Sequence, residues 1–342
     1  MTEDAGVPES TAATTTIRRG SSAVPWVCGS AVVAEPARPL RLERGGELRP
    51  AEVAYETFGR LAADGSNAVL ICHALTGDAH VARAGADDRP GWWEALVGEG
   101  RAIDPARHFV VCTNVLGGCS GSTGPTSMNP ETGRLWRGAF PHVTIGDMVA
   151  AQARVLEHLG LGREKLTVVG GSIGGFQALE WAARFPDRVK SVAVLACGAA
   201  LNAFGLAFNA VGRNAVIGDA KFAGGEYEIG DGPVAGLAVA RQLAHLTYRA
   251  SPSYDRRFGR RSGSPGRFAV HDYLVHKGGS FVKRFDANSY LRMLDAMDEF
   301  YLAAARGSVA SALSKTAAAF LFVGYSSDWL FPAVDVEALA VA

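Results

Sequence analysis

Short, mostly apolar runs recur along the chain, and five of them show no regular alternation of apolar and polar residues. They lie at residues 67–72, 108–112, 166–169, 189–195 and 319–323. Runs of this length are typical of strands. Strands that are apolar throughout are buried on both faces, as in a parallel sheet covered by helices. The pattern therefore predicts five parallel strands.

Stretches with a helical period fill the intervals between these runs. Thr144, followed three residues later by Asp147, predicts a capping box at the start of one helix, and Gly160 predicts its end. A second helix is predicted to begin near Gly174 and to end before Pro186. Strand, helix and strand in this order predict an α/β protein with a mostly parallel sheet.

The alternation of strand and helix patterns stops between residues 199 and 313. Helical patterns such as 236–248 and 289–304 occur there without a strand pattern. We interpret residues 199–313 as a helical lid that is inserted between two parts of one core. Those two parts are residues 25–198 and residues 314–342.

Two further segments have a biased composition. Residues 256–266 are rich in arginine, glycine and serine, and such a run of charge predicts a solvated loop. Residues 1–24 are rich in threonine, serine and alanine and lack the apolar centre of a signal peptide. They therefore predict a disordered leader, and a cytoplasmic location follows by default.

The overall composition excludes several classes of partner. The 342 residues include 34 basic (Lys and Arg) and 34 acidic (Asp and Glu) ones, so no net charge draws the chain to nucleic acid or to an anionic membrane surface. No apolar stretch reaches the length of a membrane span. The five cysteines are an odd number without C-x-x-C spacing, which predicts neither a disulfide framework nor a zinc site.

The clearest chemical signal is G-x-S-x-G at residues 170–174, with Ser172 at its centre. A predicted strand precedes it and a predicted helix follows it. This is the context of a nucleophile elbow, a sharp turn that holds the serine hydroxyl above the carboxyl end of the sheet. The alternative is a glycine-rich turn with a surface serine. We expect an α/β-hydrolase fold in which Ser172 is the nucleophile.

An acyl-transfer site also needs donors for the oxyanion and an acid. We expect one backbone N–H from Ile173 and a second from Leu75, in the loop after the first predicted strand. Asp328 follows the last predicted strand, where this fold places its acid; a turn-forming aspartate is the alternative. His73 lies before the turn that bears Leu75, and we expect it to be a structural hydrogen-bonding residue.

The chain resembles the homoserine O-acetyltransferases of the α/β-hydrolase superfamily in several long blocks in the same order. The blocks are AYETFG at 54–59, CHALTGDAHV at 72–81, GWW at 91–93, CTNVLGGCSGSTGP at 112–125, FPHVTIGDMV at 140–149, VGGSIGGFQALEW at 169–181 and RFDANSYL at 284–291. The resemblance implies ping-pong transfer of an acetyl group from acetyl-CoA, a co-substrate, to L-homoserine in methionine biosynthesis. It also implies no bound cofactor and a homodimer.

The resemblance carries over to individual residues. It implies that Ser172 becomes acetylated and that Asp328 orients a histidine. Arg241 matches the arginine that binds the substrate, and a guanidinium can pair bidentately with a carboxylate; a helix-surface arginine is the alternative. Relatives that use succinyl-CoA have an arginine two residues after the aspartate. This chain has Leu330 there, and an apolar residue favours acetyl over succinyl.

The triad histidine is the main departure from the family pattern. The family has it in a Gly-His-Asp block beyond one more helix and strand. Only 14 residues follow Asp328, and none of the eight histidines is among them. We therefore expect the last strand and helix of the fold to be missing, in either a truncated or an impaired enzyme. His80 and His245 are weak candidates to replace the missing triad histidine. Acetylation of L-serine, hydrolysis and a non-enzymatic fragment remain as alternatives.

Overall fold

The computed structural model describes residues 18–19, 24–85 and 87–342. Most of the predicted leader lies outside the described residues. Within it, Arg18–Arg19 form a short strand, β1, which pairs antiparallel with the strand Trp26–Ala34. At these two positions the chain is a strand rather than the disordered leader that the sequence predicted.

A mixed sheet forms the centre of the described chain. Beyond β1, the described strands are β2 (Trp26–Ala34), β3 (Leu40–Arg41), β4 (Glu47–Leu48), β5 (Ala51–Phe58), β6 (Ala68–Cys72), β7 (Phe109–Thr113), β8 (Met128–Asn129), β9 (Arg134–Leu135), β10 (Leu166–Gly171), β11 (Val189–Leu195) and β12 (Ala319–Val323). The main sheet has the order β1-β2-β5-β7-β6-β10-β11-β12, and β3-β4 and β8-β9 form two small hairpins.

The five predicted strands are confirmed, and they form the parallel part of the sheet, from β7 to β12. Pairing is antiparallel from β1 to β7. The sequence did not predict β2 or β5, because both strands mix polar and apolar residues. The fold is therefore the predicted α/β class with a mostly parallel sheet, extended at one edge by antiparallel strands.

Helices cover the sheet and fill the long segment before its last strand. The described helices are α1 (Ile145–His158), α2 (Ile173–Arg184), α3 (Ala203–Ile217), α4 (Val234–Thr247), α5 (Ser251–Arg257), α6 (Ala269–Phe281), α7 (Ala287–Glu299), α8 (Val309–Leu313) and α9 (Ala333–Ala340). The predicted capping box of α1 is present: Thr144 N–H donates to Asp147 Oδ2 at 2.9 Å, and Asp147 N–H donates to Thr144 Oγ1 at 3.1 Å. The next helix, α2, begins one residue before the predicted start.

Residues 199–313 contain α3 to α8 and no strand. Two details differ from the prediction. Helix α7 ends at Glu299 rather than at residue 304, because Phe300 adopts an extended conformation and packs its ring 4.6 Å from that of Phe176. Arg256 and Arg257 belong to the last turn of α5, so the predicted loop at 256–266 is helical at its start.

The sheet ends at β12, which pairs with β11 alone among the described strands. The side chain of Leu321, in the middle of β12, is 59% exposed. Helix α9 follows β12, and no further strand follows it in the described chain. The turn between β12 and α9 carries Asp328.

A buried polar network connects α1 to α2. Trp181 Nε1 donates to Gln152 Oε1 at 2.8 Å, and Gln152 Nε2 donates to Gln177 Oε1 at 2.7 Å. Gln177 Nε2 then donates to the Ile173 carbonyl at 3.3 Å. All three side chains are almost completely buried. The network fixes the start of α2, which is the helix that follows Ser172.

Replacing Gln152 with leucine is expected to lower the free energy of unfolding by about 2–6 kcal/mol. The change leaves the Trp181 indole N–H and the Gln177 amide oxygen buried without partners, and each such group costs about 1–3 kcal/mol. Urea denaturation followed by fluorescence measures this loss. Combining Gln152→Leu with Trp181→Phe removes the unpaired indole donor, so the double variant should lose less than the sum of the single losses. Additive losses would contradict the network.

Candidate active site

Ser172 occupies the sharp turn between β10 and α2. Its backbone has φ 56° and ψ −129°, a conformation that residues with a side chain rarely adopt. Such backbone strain costs on the order of 1–3 kcal/mol and persists only where the surrounding structure enforces it. Here Ser172 N–H donates to the Leu195 carbonyl at 3.0 Å, and the Ser172 carbonyl accepts from Gly175 N–H at 2.8 Å. The nucleophile elbow predicted from G-x-S-x-G is thus present in the backbone.

The two outer glycines of the motif have no room for a side chain. A Cβ on Gly170 would lie 2.0 Å from the Gly174 carbonyl oxygen. A Cβ on Gly174 would lie 2.2 Å from the carbonyl oxygen of Cys72, the last residue of β6. Backbone therefore packs directly on backbone where β6, β10 and α2 meet.

One cavity at the carboxyl ends of the parallel strands contains the predicted site. Its volume is about 530 Å³, and Ser172, Leu75, Asp328 and Leu330 all line it. Leu75 follows β6, Ser172 follows β10, and Asp328 and Leu330 follow β12. The structure therefore brings together four residues that are up to 255 positions apart in sequence. This is the sheet edge at which α/β folds bind ligands.

The two predicted oxyanion donors follow two neighbouring strands of the sheet, Ile173 after β10 and Leu75 after β6. Ile173 is the first residue of α2, so its N–H has no acceptor within the helix. Leu75 lies in a turn that a hydrogen bond from Gly77 N–H to the Ala74 carbonyl closes at 2.8 Å. The positive end of α2 points at the same region, which favours negative charge there.

Asp328 both shapes its turn and faces the cavity. Its Oδ1 accepts hydrogen bonds from Leu330 N–H at 2.9 Å and from Phe331 N–H at 3.0 Å. Asp328 therefore forms its turn, as the alternative interpretation held, and it also lines the cavity in which the acid was expected. Its Oδ2 has no hydrogen-bond partner among the described residues and can accept a further donor.

No histidine of the described chain lines this cavity. His73 is buried, and its ring contacts the Ala74 carbonyl at 2.7 Å through Nδ1 and accepts from Val115 N–H at 3.1 Å through Nε2. Burial lowers the pKa of His73, so it is a neutral, structural residue, as expected. His80 contacts Glu56 at 3.0 Å and the Arg89 carbonyl at 2.9 Å. His80 is thus also engaged away from Ser172.

Arg241 lies in the wall beside the cavity rather than on the helix surface. It donates from Nη1 to Thr76 Oγ1 at 3.0 Å and to Tyr248 OH at 3.3 Å. Its guanidinium carbon lies 4.7 Å from the ring centre of Phe281. No carboxylate lies within ion-pair distance of Arg241 among the described residues. A partly buried arginine with only neutral partners is suited to binding an anion.

Tyr248 and Tyr325 also line the cavity. The sequence analysis did not single out either of these tyrosines. Tyr248 follows Arg241 by seven residues, which is about two helical turns and places both on one side of α4. That spacing is a signal that could have identified it. Tyr325 lies in the turn after β12, where no residue pattern marks it.

The described residues contain no group of three or more His, Cys, Asp or Glu side chains placed to hold a metal ion. No helix in the described chain is both long and apolar enough to cross a membrane.

Known proteins resemble this chain both in fold and in sequence. A family profile for the α/β hydrolase fold matches residues 67–340. Homoserine O-acetyltransferase from Caulobacter vibrioides (strain NA1000) is 49% identical over 319 residues, which cover 89% of this chain and 83% of that protein. The chain therefore belongs to the homoserine O-acetyltransferase family of α/β hydrolases.

Solved structures agree with this placement. Homoserine O-acetyltransferase from Bacillus anthracis superposes with a TM-score of 0.83 and 25% identity, covering 92% of this chain and 87% of that one. Esterase E22 superposes with a TM-score of 0.82 and 26% identity, covering 92% and 89%. The same architecture thus occurs in a named acetyltransferase and in a named esterase.

Replacing Ser172 with glycine is expected to raise the free energy of unfolding by about 1 kcal/mol. Glycine relieves the strain of the positive φ, about 1–3 kcal/mol, and loses about 0.5–1 kcal/mol through its more flexible unfolded state. Ser172→Ala keeps the Cβ and the strain, so it should not stabilise the protein. Chemical denaturation of both variants measures the difference; equal stability of the two would contradict a strained elbow.

Proposed function

We propose that this chain transfers an acetyl group from acetyl-CoA to the hydroxyl of L-homoserine, a step of methionine biosynthesis, through an acetyl-Ser172 intermediate. The observation that carries the proposal is the strained Ser172 in one cavity with Leu75 and Asp328. Membership of the homoserine O-acetyltransferase family supports the choice of substrates. A serine hydroxyl held beside main-chain donors is suited to acyl transfer.

The proposed reaction has two half-reactions. Ser172 Oγ attacks the thioester carbonyl, and the N–H groups of Ile173 and Leu75 stabilise the oxyanion. The carbon–sulfur bond breaks, the coenzyme leaves as a thiolate that takes up the proton lost by the serine, and the acetyl ester of Ser172 remains. The hydroxyl of the acceptor then attacks this ester and returns a proton to Ser172. Arg241 pairs with the acceptor carboxylate in this scheme.

Leu330 sets the choice of acyl group in the proposal. It lines the cavity two residues after Asp328 and offers only apolar surface. A succinyl group would place a second carboxylate against this surface without a cation, and burying an unpaired charge is costly. Acetyl-CoA is therefore the proposed donor.

Incubation with acetyl-CoA is expected to add one acetyl group to Ser172, because this oxygen is the nucleophile in the proposal. Intact-mass spectrometry detects the added mass, and peptide mapping locates it. The Ser172→Ala variant is the matched control and should remain unmodified. Equal acetylation of the variant, or acetylation confined to lysines, would refute the acetyl-enzyme.

Asp328 is the proposed acid that orients an imidazole for proton transfer from Ser172. Free imidazole tests this role, since the cavity of about 530 Å³ can admit it beside Oδ2. We expect added imidazole to accelerate acetylation of Ser172 by at least about tenfold, part of the about 10²–10⁴ that a general base supplies. Quenched-flow mass spectrometry measures the rate at increasing imidazole concentration.

The Asp328→Asn variant is the control for the imidazole experiment. Asparagine keeps an acceptor oxygen for the turn but removes the charge that stabilises an imidazolium. The acceleration should therefore be much smaller in this variant. Equal acceleration in both proteins would show that imidazole acts from solution and that Asp328 has no such role.

Hydrolysis is a second candidate, which the similarity to esterase E22 favours. Both activities form the same acetyl-serine, and they differ in whether water or an amino acid removes the acetyl group. Release of the coenzyme thiol that requires L-homoserine favours the transferase. Thiol release that requires L-serine instead favours serine acetylation, and release that requires neither favours hydrolysis.

Three further features belong to the proposal. Residues 199–313 act as a lid, because Thr247 at the end of α4, and Tyr248 and Arg249 in the turn after it, line the cavity that contains Ser172. The chain forms a homodimer, as the family resemblance implies. It works in the cytoplasm, where its proposed substrates are metabolites.

A further inference from the structure

A group of cations surrounds an aromatic cluster at the edge of the lid. We call Arg249, Arg257 and Lys277 the lid-edge cations. The guanidinium carbon of Arg257 lies 5.1 Å from the ring centre of Tyr273, and Lys277 Nζ lies 5.7 Å from the same centre. Two separate helices, α5 and α6, thus direct positive charge at one tyrosine.

Arg249 belongs to this group because it lies near His245, whose ring contacts Tyr273. The His245 ring lies 5.8 Å from Tyr273 and 5.4 Å from Tyr248. Burial, followed by the nearby cations Arg241, Lys277 and Arg249, lowers the pKa of His245 to about 4. His245 is therefore neutral at pH 7 and adds no charge, while Arg249 and Lys277 lie close enough to act on it.

The lid-edge cations have no acidic partners in the described chain. None of the three makes an ion pair within 4.0 Å there. The two acids nearest in sequence do not neutralise them: Asp255 makes no such ion pair, and Asp272 Oδ2 accepts from Ser264 N–H at 2.7 Å. Arg249 and Arg257 are exposed, and Lys277 is half-buried. In a chain with no net charge, this is a local excess of positive charge.

The lid-edge cations are connected to the cavity that contains Ser172 through Arg249. Arg249 and Tyr248 line that cavity together with Ser172. Helix α5 begins two residues after Arg249 and is seven residues long, so Arg257 lies within about 15 Å along the chain direction. A ligand whose reactive end reaches Ser172 can therefore extend over these side chains.

We infer that the lid-edge cations bind the phosphates of the nucleotide portion of a coenzyme A thioester while its acyl end lies at Ser172. This inference rests on the proposed function and adds to it the binding site of the donor. The thioester end must reach Ser172, so the phosphates at the other end of the flexible pantetheine arm must lie outside the cavity. Arginine binds phosphate bidentately, and lysine binds it as a point charge.

Equilibrium binding tests the inference without requiring turnover. Isothermal titration calorimetry compares coenzyme A with pantetheine, which lacks the nucleotide and its phosphates. The full chain should bind coenzyme A more tightly than pantetheine. Raising the salt concentration should weaken binding of coenzyme A and leave binding of pantetheine almost unchanged, because phosphate contacts are screened.

Variants locate the phosphate site. The triple change Arg249→Gln, Arg257→Gln and Lys277→Gln is expected to weaken binding of coenzyme A by about tenfold, as for the loss of a few exposed charge contacts. Arg60→Gln, which removes an exposed arginine outside the cavity lining, is the control and should bind coenzyme A as the unmodified chain does. The single variant Arg249→Gln provides a milder change if the triple variant is poorly folded.

The outcomes separate this inference from the proposed function. Unchanged affinity in the triple and Arg249→Gln variants, equal affinity for coenzyme A and pantetheine, or no binding of coenzyme A would overturn the phosphate site. Salt-sensitive binding of coenzyme A that the variants weaken would support the phosphate site even if Ser172 were never acetylated. In that case the proposed function fails and the nucleotide site remains.

Discussion

The close packing of backbone on backbone at the elbow is the constraint on which the site depends. Gly174 lies so near the Cys72 carbonyl that a Cβ would approach it to 2.2 Å. Cys72 ends β6 and begins the loop that bears Leu75. The same elbow is bonded to β11 through Ser172 N–H and the Leu195 carbonyl. The ends of three strands are thus fixed relative to one another by main-chain atoms.

Side chains extend this constraint to Asp328. Phe176, four residues after Ser172 on α2, packs edge-to-face on Phe331 with ring centres 5.7 Å apart. Phe331 N–H donates to Asp328 Oδ1 at 3.0 Å. Helix α2 therefore contacts the turn that carries Asp328. On its other side, the same helix is held by Gln152, so α2 is supported by polar and apolar contacts together.

The sequence predicted those parts of the molecule where one physical requirement dominates. Burial on both faces accounts for the apolar sequences of β6 and β7, and the elbow leaves room only for glycine, so both are visible in the residues. Strands β2 and β5 have one mixed face and were missed. The helical end of α5 at Arg257 was missed because arginine is common both in helices and in solvated loops.

The candidate site also has a part that the sequence predicted and a part that it did not. The backbone of the core places Ser172, Ile173 and Leu75, and a pattern of glycines and strand ends was enough to predict all three. The side chains of the lid meet them in space only after folding: Arg241 reaches Thr76 across 165 residues. Resemblance to a family could identify Arg241, whereas Tyr248 and Arg249 required the structure. Main-chain geometry at the strand ends is therefore readable from sequence, and the set of side chains that residues 199–313 add to the cavity is not, because many different side-chain arrangements can complete the same cavity.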